Sequence, residues 1–261
     1  MNLDGRTAFV SGSTQGIGYA IAKGLLTEGA SVVINGRSEE KVDNAIHRLR
    51  AGDADAAVSG IVADFEDQQQ TAQLIDALGH VDILVNNVGL FELASFVDIG
   101  DDVWRRYFDI NVMSGVRLAR HALPSMLENG WGRILFIGSE SGVNIPADMV
   151  HYGVTKAAML ALSNGLAKLT RGTEVTVNTI LGGPTYSAGV ADTVSALSHA
   201  QGIPTDALKA AIIGENRTSL LERFIEPAEI ANLALYLASP LSSATNGAAL
   251  RADGGVLTSI I

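Results

Sequence analysis

The stretch from Thr7 to Gly18 narrows the fold more than any other part of this 261-residue chain. Thr7-Ala8-Phe9-Val10-Ser11 is a short β-branched and aromatic run. Gly12-Ser13-Thr14-Gln15-Gly16-Ile17-Gly18 follows it, and helical periodicity then begins at Ile21, Leu25 and Leu26. A strand, a glycine turn and a helix start in that order make the first step of an α/β chain. Glycine allows a sharp turn and lets backbone N–H groups approach a pyrophosphate, whose charge the positive end of the next helix favours. Three glycines also suit an ordinary loop; their position between strand and helix is what favours a dinucleotide. The spacing Gly-x-x-x-Gly-x-Gly differs from the Gly-x-Gly-x-x-Gly fingerprint and lacks the Gly-Lys-Ser/Thr ending of a kinase-type P-loop.

The same alternation continues along the chain. Ser31-Val32-Val33-Ile34-Asn35 reads as a second strand, with Ser38 as an N-cap and Glu39 and Glu40 in the first helical turn. An acidic residue at this strand end would hold the ribose 2′-OH of NAD, and an arginine accommodates the 2′-phosphate of NADP. Arg37 is present and the acid is missing, which favours NADP with NAD possible; stacking on adenine or a solvated surface charge are the other readings of Arg37. Asp64, after Gly60-Ile61-Val62-Ala63, stands either to contact an adenine amino group or to cap a helix beginning near Glu66. Val81-Asp82-Ile83-Leu84-Val85 runs into Asn86-Asn87-Val88-Gly89, residues that tolerate the backbone of a turn at a strand's carboxyl end, where open α/β sheets bind ligands. A helical segment from Asp101 to Glu128 has an interruption near Asp109-Ile110-Asn111. Asn111 sits in its apolar stripe, where an amide hydrogen-bonds, kinks the helix, holds a water, or is simply half exposed. Ile134-Leu135-Phe136-Ile137-Gly138 suits a strand buried on both faces and ends at Ser139. Val175 to Ile180 is a sixth strand leading to Leu181-Gly182-Gly183-Pro184-Thr185, and Ala248 to Ala252 a last one. Between them, residues 186–222 read as helical pieces separated by turns, the composition of a lid.

Tyr152 and Lys156 stand in the first turns of a long amphipathic helix, where residues four apart share a face. A phenol with a reference pKa of about 10 becomes an acid or base near neutrality only if its anion is stabilised. Lowering it by roughly 3 units takes on the order of 4 kcal/mol, which an ammonium and a bound cationic ring together could supply. A core tyrosine beside a surface lysine gives the same spacing, so the pair depends on its context. His151 and Glu140 adjoin the candidate groups and are read as surface or supporting residues, because neighbours at i+1 point elsewhere on a helix.

Composition removes whole classes of function. A formal charge of −10 leaves no basic field for nucleic acid or an anionic membrane. The absence of cysteine excludes disulfides and thiolate chemistry, and no His/Asp/Glu cluster suggests a metal. No signal pattern and no apolar stretch of about 20 residues is found, so the expectation is one cytoplasmic domain over residues 1–261.

Together these residues resemble the short-chain dehydrogenase/reductase family over essentially the whole chain. Gly12, Gly16 and Gly18 match its glycine turn, with Ser11 where threonine is usual. Asn86-Asn87-Val88-Gly89 matches its Asn-Asn-Ala-Gly motif, and Asn111, Ser139, Tyr152 and Lys156 its catalytic tetrad. Gly182 stands where proline is common, a departure expected to loosen the turn and the lid. The resemblance implies a Rossmann-type, doubly wound, seven-stranded parallel sheet in the order 3-2-1-4-5-6-7 with helices on both faces. It implies hydride transfer between a nicotinamide cofactor and a carbonyl or alcohol small molecule. In that chemistry Tyr152 is the general acid or base, Ser139 polarises the carbonyl oxygen, Lys156 holds the ribose and lowers the tyrosine pKa, and Asn111 positions a relay water. The implied cofactor contacts are Gly12, Gln15, Gly16, Ile17, Gly18, Arg37, Asp64, Asn87, Gly89, Tyr152, Lys156 and Thr185, the last at the carboxamide. A homo-oligomer, tetramer or dimer, is expected through the two long central helices. The alternatives are a dinucleotide sensor or scaffold without turnover, and a 3-oxoacyl-carrier-protein reductase. The lid charges, Lys209 and Arg217 against Asp192, Asp206, Glu215 and Glu222, disfavour an acidic carrier, and its apolar residues (Tyr186, Val190, Val194, Leu197, Ile203, Leu208, Ile212, Ile213) suit a mixed or apolar pocket.

Overall fold

In the computed structural model, which describes residues 1–215 and 219–260, seven parallel strands form one sheet in the order β3-β2-β1-β4-β5-β6-β7. The strands are β1 (Thr7–Val10), β2 (Ser31–Gly36), β3 (Val58–Val62), β4 (Ile83–Asn86), β5 (Trp131–Ile137), β6 (Glu174–Gly182) and β7 (Ala249–Ala252). Every residue of β4 and β5 is buried, as continuous apolar strands covered on both faces must be. On one face, α1 (Gly16–Thr27), α2 (Glu39–Arg50) and α9 (Pro227–Ala238) contribute Ile21, Leu25, Val42, Ala45, Ile230 and Ala234 to a core with Val10, Ile34 and Val85. On the other, α3 (Gln68–Leu78), α5 (Ser114–Glu128) and α6 (Val150–Ala167) bring Leu74, Leu118, Met126 and Met159 against Phe9, Leu84 and Phe136.

The interruption expected near Asn111 is a π-helical turn, Phe108–Met113, joining α4 (Asp101–Tyr107) to α5. Such turns insert an extra residue into the helical ladder and are frequent at functional sites. The lid region folds as α7 (Ala188–Gln201) and α8 (Thr205–Glu215). Of its expected charges, Arg217 lies outside the described residues, as does the side chain of Glu215.

Two local expectations are corrected. The helix after β3 starts at Gln68 and is capped by Asp67, whose Oδ1 accepts from the N–H groups of Gln69 (2.8 Å) and Gln70 (3.1 Å); Asp64 accepts instead from Glu66 N–H at 3.0 Å. Asp67 wins because a cap must precede the first helical residue directly. Gly182 is the last residue of β6, in register with Ala252 of β7, so the sheet holds the segment expected to be loose. Ser38 does occupy the N-cap position of α2, without a capping hydrogen bond from its side chain. Among the described residues no helix is long and apolar enough to cross a membrane.

Candidate active site

The strand order reverses between β1 and β4, and the loops beyond the carboxyl ends of the strands open there into a cleft of about 380 Å³. Its lining joins sequence-distant residues: Gly12, Gln15, Gly16 and Ile17 after β1, Arg37 after β2, Asp64 after β3, Asn87 and Gly89 after β4, and Tyr152 and Lys156 on α6.

Backbone geometry makes the glycine turn. Gly12 and Gly16 have φ of +60° and +62°, the left-handed region that glycine enters without a Cβ penalty. A Cβ on Gly18 would lie 2.5 Å from Asn87 Nδ2 and 2.7 Å from Gly12 O, so this glycine lets the helix start close against the loop rather than lining the cleft. The turn is tied down from both sides. Asn87 Nδ2 donates to the carbonyls of Ser11 (3.0 Å) and Gly12 (2.9 Å), and Ser11 Oγ accepts from the N–H groups of Asn87 (3.0 Å) and Val88 (3.1 Å). The serine hydroxyl at position 11 thus meets the second loop directly. Asn35 Oδ1 accepts from Gly12 N–H (3.1 Å), while its amide donates to Ile61 O (3.1 Å) and Ala63 O (3.2 Å).

Arg37 is exposed at the cleft rim beside Lys41, which the sequence reading passed over. Lys41 had a legible signal: it is a cation in the first turn of α2, where the helix macrodipole disfavours positive charge. Thr14, Phe91 and Ser187 also line the cleft and were not foreseen. The lid lines the cleft through Ser187, Ala188 and Gly189, whereas Val194, Leu208 and Ile213 are buried and Leu197 and Ile203 exposed. Thr185 does not line this cleft; it is buried, forms a bridge with Ile225, and its hydroxyl donates to Gly183 O at 2.9 Å.

At the other end of the cleft the groups are buried. Lys156 is 5% exposed, and its Nζ donates to Ile137 O at 2.9 Å and lies 5.5 Å from the Tyr152 ring centroid. Burial pulls the lysine down to about 8, opposed by the Glu140 carboxylate. Asn111 is 1% exposed, which removes the half-exposed reading: its Oδ1 accepts from Leu90 N–H (2.7 Å) and its Nδ2 donates to Leu90 O (3.0 Å) and Thr155 Oγ1 (2.9 Å). The π-turn therefore pins the β4 loop to α6. A Cβ on Gly89 would lie 3.4 Å from Asn111 Oδ1 and 3.5 Å from Lys156 Nζ, so a bare backbone keeps the space between those two groups open.

The tyrosine expectation reverses within the chain's own groups. Burial pushes the Tyr152 phenol above its ordinary range, partly offset by a hydrogen bond with Ser139; the negative charge of Glu140 pushes it up further. Desolvation of the phenolate outweighs the hydrogen bond from Ser139, and the Lys156 ammonium nearby is itself desolvated. Of the surface and supporting readings of Glu140 and His151, the surface one falls. Glu140 Oε2 accepts from the Ser139 hydroxyl at 2.6 Å, so it is a direct partner of a candidate catalytic group. His151 is fully buried, packed on the Tyr107 ring at 4.2 Å, because α6 turns that face onto α4 rather than to solvent. Among the described residues no group of His, Asp or Glu is placed to hold a metal ion.

Known proteins with this arrangement are numerous. The family described as enoyl-(acyl carrier protein) reductase matches residues 12–257. An uncharacterised oxidoreductase of Bacillus subtilis (strain 168), YvaG, is 47% identical over 261 residues, covering 100% of this chain and 99% of its own. The D-beta-hydroxybutyrate dehydrogenase of Cupriavidus necator is 33% identical over 258 residues, covering 97% and 98%. The L-sorbose reductase of Gluconobacter frateurii, solved with NADPH and L-sorbose, superposes with a TM-score of 0.92 at 29% identity, over 100% of this chain and 99% of that one. With its sheet order, its glycine turn and its Ser139, Tyr152 and Lys156 gathered at one strand edge, the chain belongs to the short-chain dehydrogenase/reductase family of oxidoreductases.

Proposed function

We propose that the protein is an NADP-dependent carbonyl reductase or alcohol dehydrogenase acting on a small molecule. The observation that carries this reading is the cleft itself, which has the glycine turn and two cations at one end and Tyr152 and Lys156 at the other. The residues present fit a dinucleotide: a side-chain-free cradle at Gly12 and Gly16, Arg37 and Lys41 for a 2′-phosphate, and Lys156 for ribose hydroxyls. The NADPH complex of the Gluconobacter enzyme supports the cofactor choice.

When bound, the cofactor supplies or accepts a hydride at the carbonyl carbon. In reduction, Tyr152 donates its phenolic proton to the carbonyl oxygen, and in oxidation its phenolate takes the proton back. Ser139 donates a hydrogen bond to that oxygen, where negative charge develops. Lys156 counters the phenolate left behind, which a raised phenol pKa makes necessary. The opening beside Gly89, Asn111 Oδ1 and Lys156 Nζ suits a water that passes the replacement proton inward. Asp64 is assigned to the adenine and residues 186–222 to a lid that shields the reaction; Thr185, outside the cleft lining and with its proton on Gly183 O, would meet the nicotinamide carboxamide only as an acceptor.

The substrate is a neutral or mixed-polarity ketone or alcohol. Carrier-bound substrates are disfavoured, because the lid cation Lys209 is engaged over the Tyr186 ring at 3.9 Å and faces Asp192, Asp206 and Glu222 in the lid's charge balance. An apolar groove between α5 and α6, lined by Val116, Leu123, Leu162 and Leu166, supports dimer or tetramer formation; native mass measurement checks it.

The test is a paired assay of NADPH and NADH oxidation against ketones and aldehydes, with Tyr152→Phe alongside. Turnover with NADPH that disappears in the variant is expected. Tight cofactor binding without turnover would favour a dinucleotide sensor instead.

A further inference from the structure

Ser139 is short of hydrogens for the task assigned to it. A serine hydroxyl has one proton to donate and two lone pairs to accept with. One lone pair accepts from Ser141 N–H at 3.1 Å, and the single proton is contested between Glu140 Oε2 at 2.6 Å and the Tyr152 oxygen. Glu140 is held in this pose from its other oxygen, since Oε1 accepts from Ser141 Oγ at 3.3 Å. To polarise a substrate carbonyl, Ser139 must point its single proton at the substrate. While the carboxylate beside it is ionised, that proton is drawn to the carboxylate.

We propose that Glu140 is a positioning residue that sets the direction of the Ser139 hydroxyl. Protonated, its carboxyl donates to the remaining lone pair of Ser139 Oγ and frees the serine proton for the carbonyl oxygen; ionised, it captures that proton. No covalent bond to substrate forms or breaks in this step; one proton enters or leaves Glu140 and one hydrogen bond reverses. The inference rests on the carbonyl-reductase reading above and adds to it a group outside the tetrad.

The surroundings hold the Glu140 carboxyl above its ordinary range. Burial lifts the Glu140 carboxyl, while the hydrogen bonds from Ser139 and Ser141 pull it down. From α6, Tyr152 and Lys156 both feel its charge. The other strand packed against this turn, β6, contains a single titratable residue, Glu174, at its opposite end. Protonation of Glu140 thus removes a negative charge in contact with Ser139 and lowers the resistance to forming a Tyr152 phenolate.

Two measurements test this on the full-length chain. In the first, the pH dependence of kcat for ketone reduction is compared between wild type, Glu140→Gln and Ser139→Ala. A glutamine amide donates to Ser139 at every pH, so the variant should lose one ionisation from the alkaline limb. Its rate relative to wild type should rise by about tenfold across that limb, the scale of one hydrogen bond. In Ser139→Ala the further change Glu140→Gln should move the profile by less than it does in wild type, since only its electrostatic effect on Tyr152 and Lys156 is left. In the second, infrared difference spectra of the protein alone follow the carbonyl stretch of a protonated carboxylic acid. A band that outlasts the exposed carboxylates as pH rises, is missing in Glu140→Gln and shifts in Ser139→Ala is expected. Superimposable pH profiles for wild type and Glu140→Gln, or no such band, would overturn the proposal. Failure of the parent reading looks different: wild type turns over no ketone, and the infrared titration then decides the Glu140 assignment alone.

Discussion

Beyond β1 and β2, the cleft is made of backbone and of cations in water: Gly12 and Gly16 at positive φ, with Arg37 and Lys41 exposed at the rim. At α6 the groups are taken out of water: Lys156, and Asn111 beside Gly89, are almost wholly buried, and desolvation holds the Tyr152 phenol above its ordinary range. The first end presents a turn held in place by its own hydrogen bonds and cations that stand free in water. The second acquires reactivity from strained solvation, where each ionisation depends on its neighbours. Changes at the buried end should therefore be large and pH-dependent, and changes at the exposed end small and salt-dependent.

The largest effect is expected from Tyr152→Phe. It should lower ketone reduction by roughly 10²–10⁴-fold, the scale of general-acid catalysis, with cofactor affinity little altered by titration. Comparable loss of binding and turnover would erase the division between the two ends. Gly18→Ala strikes the seam between them. Its Cβ would meet Asn87 Nδ2 at 2.5 Å and the Gly12 carbonyl at 2.7 Å, and overpacking of this kind costs about 1–3 kcal/mol in denaturant unfolding. Wild-type stability in this variant would mean that the loop shifts freely.

Lys156→Met sharpens the comparison through pH. The buried ammonium has a folded pKa of about 8 against an ordinary 10.5, so between those values the folded state binds fewer protons than the unfolded one. Stability contributed by this group therefore rises with pH across that window. Thermal unfolding of wild type relative to Lys156→Met should improve as pH goes from about 8 towards 10.5, and a constant difference would place the lysine in water. The smallest effect belongs to the exposed end. Arg37→Asp should move the NADP/NAD ratio of catalytic efficiency by roughly 10–100-fold towards NAD, since a charge-assisted hydrogen bond contributes about 1.5–3 kcal/mol. The shift should shrink as added salt screens the rim; an unchanged ratio leaves the 2′-phosphate assignment without support.

The centre of the sheet was legible because residues 83–85 of β4 and 134–137 of β5 are apolar runs followed by an asparagine or glycine turn, and that pattern survives any detail of packing. Glycine positions and the Tyr152–Lys156 pair were legible for the same reason: each depends on local backbone geometry. The helix start after β3 was misplaced because Asp64 and Asp67 are both good caps, and only the turn between them selects one. The Gly182 turn was misjudged because pairing with β7, distant in sequence, extends β6 through it.

By itself, the sequence determined the order of strands and helices, the left-handed turn at Gly12 and Gly16, and which four residues match the family's catalytic tetrad, because periodicity and backbone freedom are local properties. The tertiary structure alone decided where protons sit. Whether Tyr152 is raised or lowered, whether Asn111 bonds to water or to Leu90 and Thr155, and whether Glu140 faces solvent or Ser139 all depend on desolvation and on partners brought together from separate elements. Those energies do not exist until the chain is folded.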